Sequence, residues 1–315
     1  MSSGQERVLR RRIHSIESTE KLTRAMDLIS ASQIVRAQAR IRASRPYVEG
    51  IEEVLAITAA DVGPSSAVRG VPEDPARVLV VAIVADRGLC GAYNSAVLRA
   101  TERLLRAGEA EGCAYRIVTV GRRAQSFFRF HGRRIEKAFV KMTDRPTYED
   151  ARRVAAEIVG PFLAGEVDLV QLVSTRFRSA GTQEVEVRQL LPLAPDGPGP
   201  EGDPTESAPA PQGFYDFEPT AEDLLATLVP RYAETVLFQA LLEAAASEHT
   251  ARQRAMSAAT ENADELATTL SRLMNRIRQD SITTEIMEVV GGAEALRGTG
   301  SRGGPEVLTT SSSEE

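Results

Sequence analysis

The last third of the chain carries its longest regular alternation of apolar and polar positions. Stepping by four and three from Phe238 reaches Leu242, Ala245, His249, Arg252, Met256, Ala259, Ala263, Leu266, Leu270, Leu273, Ile277, Asp280, Thr284 and Met287. No proline interrupts this run, and no glycine enters before Gly291. The spacing predicts one unbroken helix with a heptad seam. From Arg231 to Val290 such a helix is about 90 Å long, at one residue per 1.5 Å or so. A domain of ordinary size cannot bury a rod of that length, so a partner helix is expected. Ala245, Ala259 and Ala263 allow that partner to approach closely, and Leu266 to Ile277 reads as a leucine seam. His249, Arg252, Asp280 and Thr284 put polar groups where apolar ones are expected. Two readings stay open for them: the helix turns or runs unpaired there, or those groups face a different protein.

Residues 5 to about 58 predict a second long helix. Ile13, Ile16, Leu22, Met26, Ile29 and Ile34 recur at helical spacing, padded by alanines, in a thin apolar stripe. A helix this polar all round is exposed or clasped by a partner. Pro46 falls inside it and predicts a slight bend. The natural partner is the C-terminal helix, which gives an antiparallel two-helix rod built from the two ends of the chain.

The middle follows another pattern. Val78 to Val84 is a continuous β-branched and apolar run, as in a strand buried on both faces. The turn Asp86-Arg87-Gly88-Leu89-Cys90-Gly91-Ala92-Tyr93-Asn94 follows, with Asn94 or Ser95 placed to cap a helix reaching about Ala107. Further strands are expected at Tyr115–Val120, Ile135–Val140, Val167–Ser174 and Glu184–Leu191, and helices near Arg122–Phe130 and Thr147–Leu163. The fold class is therefore α/β: a long antiparallel coiled coil plus a small central domain with a mainly parallel sheet and an antiparallel edge pair. The expected divisions are an N-terminal shaft helix over 1–60, an α/β domain over 76–191, a Pro-rich flexible loop over 192–213, a C-terminal shaft helix over 214–296 and a disordered tail over 297–315. Phe214, Tyr215 and Phe217 restart ordered structure, Glu218-Pro219-Thr220 opens the last helix, and Pro230 is a possible break in it.

Composition narrows the chemistry. No apolar run approaches the length of a membrane span, and the N-terminus lacks a signal-peptide core, which predicts a cytosolic chain. The net charge of −6 hides an asymmetry, since residues 1–45 hold ten Arg or Lys against four acids. Such a helix suits an acidic partner. It carries no aromatic residues for base stacking, so a solvated or protein-facing stripe is favoured over a nucleic-acid surface. The Asp86–Asn94 turn is neither a Rossmann fingerprint nor a phosphate loop with Gly-Lys-Ser/Thr. His14, His131 and His249 stand on different elements without metal-type spacing. Cys90 beside Arg87 reads as a buried structural cysteine rather than an activated thiol. No catalytic site, cofactor or metal is expected.

Several stretches are similar to one known family. They are Arg12-Ile13-His14-Ser15-Ile16-Glu17-Ser18-Thr19-Glu20-Lys21-Leu22-Thr23-Arg24-Ala25-Met26, Ser30-Ala31-Ser32, Arg45-Pro46-Tyr47 and Asp86-Arg87-Gly88-Leu89-Cys90-Gly91. In the C-terminal helix they are Ala255-Met256-Ser257-Ala258-Ala259-Thr260-Glu261-Asn262-Ala263, Arg278-Gln279 and Ile282-Thr283-Thr284-Glu285-Ile286-Met287-Glu288-Val289-Val290-Gly291-Gly292-Ala293-Glu294-Ala295. Together they resemble the gamma subunit of the rotary F-type ATP synthase over roughly 5 to 296, with additions that look actinobacterial.

The resemblance implies a non-catalytic rotor shaft in the central stalk of a proton-driven ATP synthase, peripheral to the cytoplasmic face of the bacterial plasma membrane. Its implied partners are the alpha and beta subunits of the hexamer, the epsilon subunit and the membrane c-subunit ring. Met26 matches a family position facing an acidic beta loop. Arg252, Arg278, Gln279, Thr283 and Glu285 match positions that meet beta or brace the shaft's own helices. Gln33 stands where the family usually has Lys, and Asp280 where it has a small residue. The Pro-rich loop is expected to tune rotation or suppress ATP hydrolysis. The alternatives are a basic coiled-coil nucleic-acid binder and a free-standing phosphoryl enzyme on the α/β domain.

Overall fold

The computed structural model describes residues 2–62, 75–193 and 217–299. Residues 63–74, between the first helix and the sheet, lie outside the described residues, as do all but the first two residues of the 192–213 loop, Phe214 and Tyr215, and the tail beyond residue 299. Two compact units form, one from Met1–Thr23 with Ala258–Glu315 and one from Arg24–Ser257. The helices α1 (Ser2–Val62) and α5 (Ala221–Thr299) contribute to both.

The second unit is built on a five-stranded sheet in the order β3-β2-β1-β4-β5. Strands β1 (Arg77–Ile83), β2 (Ala114–Val120), β3 (Ile135–Phe139) and β4 (Leu169–Phe177) run parallel. β5 (Gln183–Leu191) closes one edge antiparallel to β4, as expected. The continuous apolar run of β1 has a simple cause. Leu79, Val81 and Ile83 point into one core, while Val78, Val80, Ala82 and Val84 point into the other. With a core on each face, the run from Val78 to Val84 leaves no place for a polar side chain.

Helices α2 (Tyr93–Ala110) and α3 (Arg122–Phe130) cover one face through Val97, Leu98, Leu105, Ala124 and Phe128. Helix α4 (Tyr148–Leu163) covers the other, with Val154 and Ile158 inward, beside Ile51 and Leu55 of α1 and Leu225 to Ala244 of α5. Thr147 starts α4 with a capping box, its hydroxyl accepting from the Asp150 amide while the Asp150 carboxylate accepts from the Thr147 amide. Within this unit α1 and α5 run antiparallel: Gln33 and Ala37 share a cleft with Ala245 and His249, and Ile51 and Leu55 share a core with Leu225 and Val229. α5 does not break at Pro230, because Val229, Tyr232, Ala233 and Val236 around it are all buried. It also continues through Gly291 and Gly292 to Thr299, beyond the expected end at 296.

On α1 in the second unit, buried or half-buried positions recur at Asp27, Ser30, Ile34, Ala37, Ile41, Ser44, Val48, Ile51, Leu55 and Thr58, spaced alternately by three and four. In the first unit the corresponding positions are Leu9, Ile13, Ile16, Glu20 and Thr23 on α1, and Thr260, Ala263, Ala267, Leu270, Met274, Ile277 and Ser281 on α5. Both sets are heptad seams, and the hydroxyls of Thr23 and Thr260 hydrogen-bond across them at 2.7 Å.

This register corrects the one expected from hydrophobicity. Leu22 and Ile29 are 60% and 61% exposed on α1, and Leu266 and Leu273 are 49% and 44% exposed on α5. Asp280, Thr284 and Met287 are exposed as well. Ala267 and Met274, one residue further on, take the inward places. The row containing Thr260 and Ala263 sets the geometry, and a leucine one residue out of step must face outward.

Candidate functional site

In an open parallel sheet, ligands bind beyond the carboxyl ends of the strands where the winding reverses, which here lies between β1 and β4. The Asp86–Asn94 turn occupies that position, and its residues are used to hold the chain together. Asp86 accepts from the Arg122 amide at 3.0 Å and from the Thr143 hydroxyl at 3.1 Å, while its own amide donates to the Thr143 hydroxyl oxygen at 3.0 Å. This ties the ends of β1, β3 and α3 together.

Asn94 does not cap α2 as expected. Ala92 is the N-cap and makes no side-chain cap bond. The Asn94 amide is committed elsewhere: its oxygen accepts from the Ala85 amide at 2.9 Å, and its nitrogen donates to Cys90 Sγ at 3.0 Å and to the Arg87 carbonyl at 3.3 Å. Cys90 is buried, as expected, and burial followed by the nearby Glu248 carboxylate pushes its thiol pKa up. Such a thiol is inert.

The crevice itself is filled by α5. A Cβ added to Gly91 would meet Ala255 Cβ at 3.8 Å and the Ala251 carbonyl at 3.9 Å, and Gly91 has a φ of +55°. Glycine lets the turn close against the helix in a left-handed conformation. Arg252 reaches from α5 to the Gly88 carbonyl at 3.4 Å and pairs with Glu248 one turn back. Glu248 is 1% exposed, and its second oxygen has no hydrogen-bond partner among the described residues. Burial raises the Glu248 pKa, and the Arg252 charge opposes that rise. His249 Nε2 lies 3.3 Å from the Asp144 carbonyl, and burial pulls its pKa down. Sequence reasoning passed over Glu248, although its spacing of four from Arg252 on a helix is the signature of an ion pair.

The residues singled out by sequence do not converge. Arg252 is 6% exposed and committed within the chain. Met26 is half-buried on α1, while Arg278, Gln279, Thr283 and Glu285 are exposed on α5. The Thr283 hydroxyl donates to the Gln279 backbone carbonyl at 2.9 Å, and Gln279 itself is exposed. Gln33 lines a cleft of about 160 Å³ with Arg36, Arg40, Asp144 and His249. Among the described residues no group of three or more His, Cys, Asp or Glu is arranged to hold a metal, and no helix is long and apolar enough to cross a membrane.

Two very long helices on heptad seams, one of them plugging the crevice of a doubly wound sheet, define a coiled-coil α/β protein. Comparison with known proteins agrees with that class. The family profile described as ATP synthase matches residues 5–296. The ATP synthase gamma chain of Frankia casuarinae is 44% identical over 93% of this chain and 98% of its own length. That of Kineococcus radiotolerans is 43% identical over 95% and 99%. Among solved structures, a chain of the Euglena gracilis mitochondrial ATP synthase (OSCP/F1/c-ring, rotational state 3) aligns with a TM-score of 0.69 at 18% identity, covering 98% of this chain and all of that one. A chain from the central stalk and c-ring of the Tetrahymena thermophila mitochondrial ATP synthase aligns with a TM-score of 0.58 at 21% identity, covering 76% and 99%. The chain belongs to the ATP synthase gamma chain family. It is a non-catalytic subunit of the ATP synthase complex.

Proposed function

We propose that this chain is the rotor shaft of a bacterial proton-driven ATP synthase, working at the cytoplasmic face of the plasma membrane. Rotation of the membrane c-ring turns the paired helices, and their asymmetric surface drives the beta-subunit sites of the alpha–beta hexamer through different affinities. The observation that carries this reading is the pairing of α1 and α5 on heptad seams in a chain that matches its family from residue 5 to 296.

The contact residues are those the resemblance implies. Arg278, Gln279, Thr283 and Glu285 present polar groups outward on α5 and serve as contacts to the hexamer, with Met26 on α1. The basic N-terminal helix suits an acidic beta loop, because complementary charge orients partners. Arg252 braces α5 against the α/β body. The α/β body and the lower helices serve as the seat for epsilon and the c-ring. The segment 192–213 tunes rotation or restrains ATP hydrolysis, in keeping with its acidic, Pro-rich composition.

Reconstitution with alpha and beta subunits tests the reading. ATP hydrolysis by the hexamer is expected to depend on this chain, and equal rates with and without it would refute the proposal. Deleting 194–213 separately tests the loop, whose role is rejected if hydrolysis and synthesis rates stay unchanged.

A further inference from the structure

The charge asymmetry of the sequence was read from its first 45 residues, but the fold assembles a second basic surface. Within α2 and from α3 to Arg134, eight arginines stand against two glutamates and no other acid. Those two glutamates, Glu102 and Glu109, are both held by Arg133 at the end of α3, which joins the two helices into one face. Arg99 and Arg103 are exposed on α2, and no salt bridge to a described residue engages either one. Arg106 shares Glu102 with Arg133. Between these arginines lies a groove of about 550 Å³, lined also by Ala96 and Glu102 of α2, by Phe127 of α3 and by Val185 of β5.

We propose that this groove is a docking site for an acidic polypeptide segment of another subunit, with carboxylates on either side of one apolar side chain. Guanidinium forks on α2 match carboxylates in a two-point geometry. The Phe127 ring and Val185 form the apolar floor for the anchor between them. The chain's own acidic stretch, residues 194–216, is a poorer fit. Leu193 before it and Leu225 of α5 after it both pack in the core on the other face of the sheet from α2.

The inference rests on the rotor-shaft reading only in that the partner is sought in the assembled ATP synthase. A photoreactive benzoylphenylalanine replaces Val185, which is 37% exposed, in the full complex. Co-purification of the substituted chain with the complex tests assembly; irradiation and peptide mapping test the groove. The expected product joins Val185 to an Asp/Glu-rich stretch of a different subunit. Charge reversal by Arg99→Glu with Arg103→Glu should then cut its yield by roughly fivefold or more, since opposed charges at such contacts weaken binding strongly. An unchanged melting temperature of the purified double variant shows that the fold is intact. Products confined to residues 194–216, products with lipid alone, or no product in an assembled complex would each overturn the proposal. So would a yield indifferent to the charge reversal in a folded variant.

Discussion

Removing the arginine that plugs the switch-point crevice should be the most damaging change on α5. In Arg252→Ala, Glu248 keeps its place at 1% exposure and loses the charge beside it, while its other oxygen already has no described partner. Breaking a buried pair in this way costs about 3–5 kcal/mol, because a charge is left uncompensated in a poorly solvated site. The sign of the pH dependence follows from Glu248. Its folded pKa is raised above the unfolded value, so the folded chain binds the proton more tightly, and the stability this gives is present at low pH and lost as pH rises through the folded pKa. Without Arg252 the opposing influence is gone and the folded pKa rises further, so the loss between pH 5 and neutrality deepens. Urea titrations of the purified chain at pH 5 and pH 7.5, followed by circular dichroism, measure both effects. A double change to Glu248→Gln and Arg252→Met should recover most of the loss. An Arg252→Ala chain within about 1 kcal/mol of wild type at both pH values would show that Glu248 finds water or another partner, and would refute the argument.

Other substitutions separate the remaining ideas. Gly121 has a φ of +99°, and an added Cβ would sit 2.0 Å from the Val84 carbonyl oxygen, so Gly121→Ala should lower the melting temperature sharply or prevent soluble expression. The heptad register predicts that Met274→Lys weakens the isolated chain by about 1–2 kcal/mol while Leu273→Lys costs under about 0.5 kcal/mol; equal effects would return the seam to Leu273. Thr147→Ala removes the α4 capping box and should cost about 1 kcal/mol in a urea titration. His249 is buried with its pKa lowered, so it favours the folded chain above the unfolded pKa and withdraws that stability as pH falls through its folded pKa; His249→Gln should flatten the acid side of the stability profile.

How much of this was legible in the sequence depends on whether the deciding contacts are local. The β1 run from Val78 to Val84 announced a strand with a core on each side, and both cores are there. Helix α3 was placed at its observed limits because Gly121 and the strand before it punctuate the sequence plainly. Asn94 was misassigned because its amide is drawn to Ala85, nine residues back, in a fold-specific bridge that no capping rule contains. The seam was displaced because two adjacent rows of α5 are both apolar, and Leu266 and Leu273 outweigh Ala267 and Met274 on any hydrophobicity count. Only the partner helix decides between such rows. Glu248 was invisible as a core residue because a lone carboxylate is read by default as solvent-exposed.

The corrected register gives the helices a physical logic that the hydrophobic stripe did not. The seam of α1 is rich in hydroxyls, and their hydrogen-bonding needs are met. Thr23 bonds both the Glu20 carbonyl and Thr260, Ser30 donates to the Met26 carbonyl, and Thr58 to that of Val54. These residues therefore occupy inward positions without stranding a polar group, though they add little hydrophobic adhesion. Meanwhile Leu22, Leu28, Ile29 and Val35 are all at least 60% exposed on the same helix. A free two-helix protein would gain by exchanging the two sets. On the proposed rotor-shaft reading the optimum differs: inward polar groups fix the register of the pair, and apolar side chains facing outward would be covered by surrounding subunits. The apparent inversion of α1 is then a property of the chain in its assembly, and an amphipathicity rule written for self-contained domains must misread it.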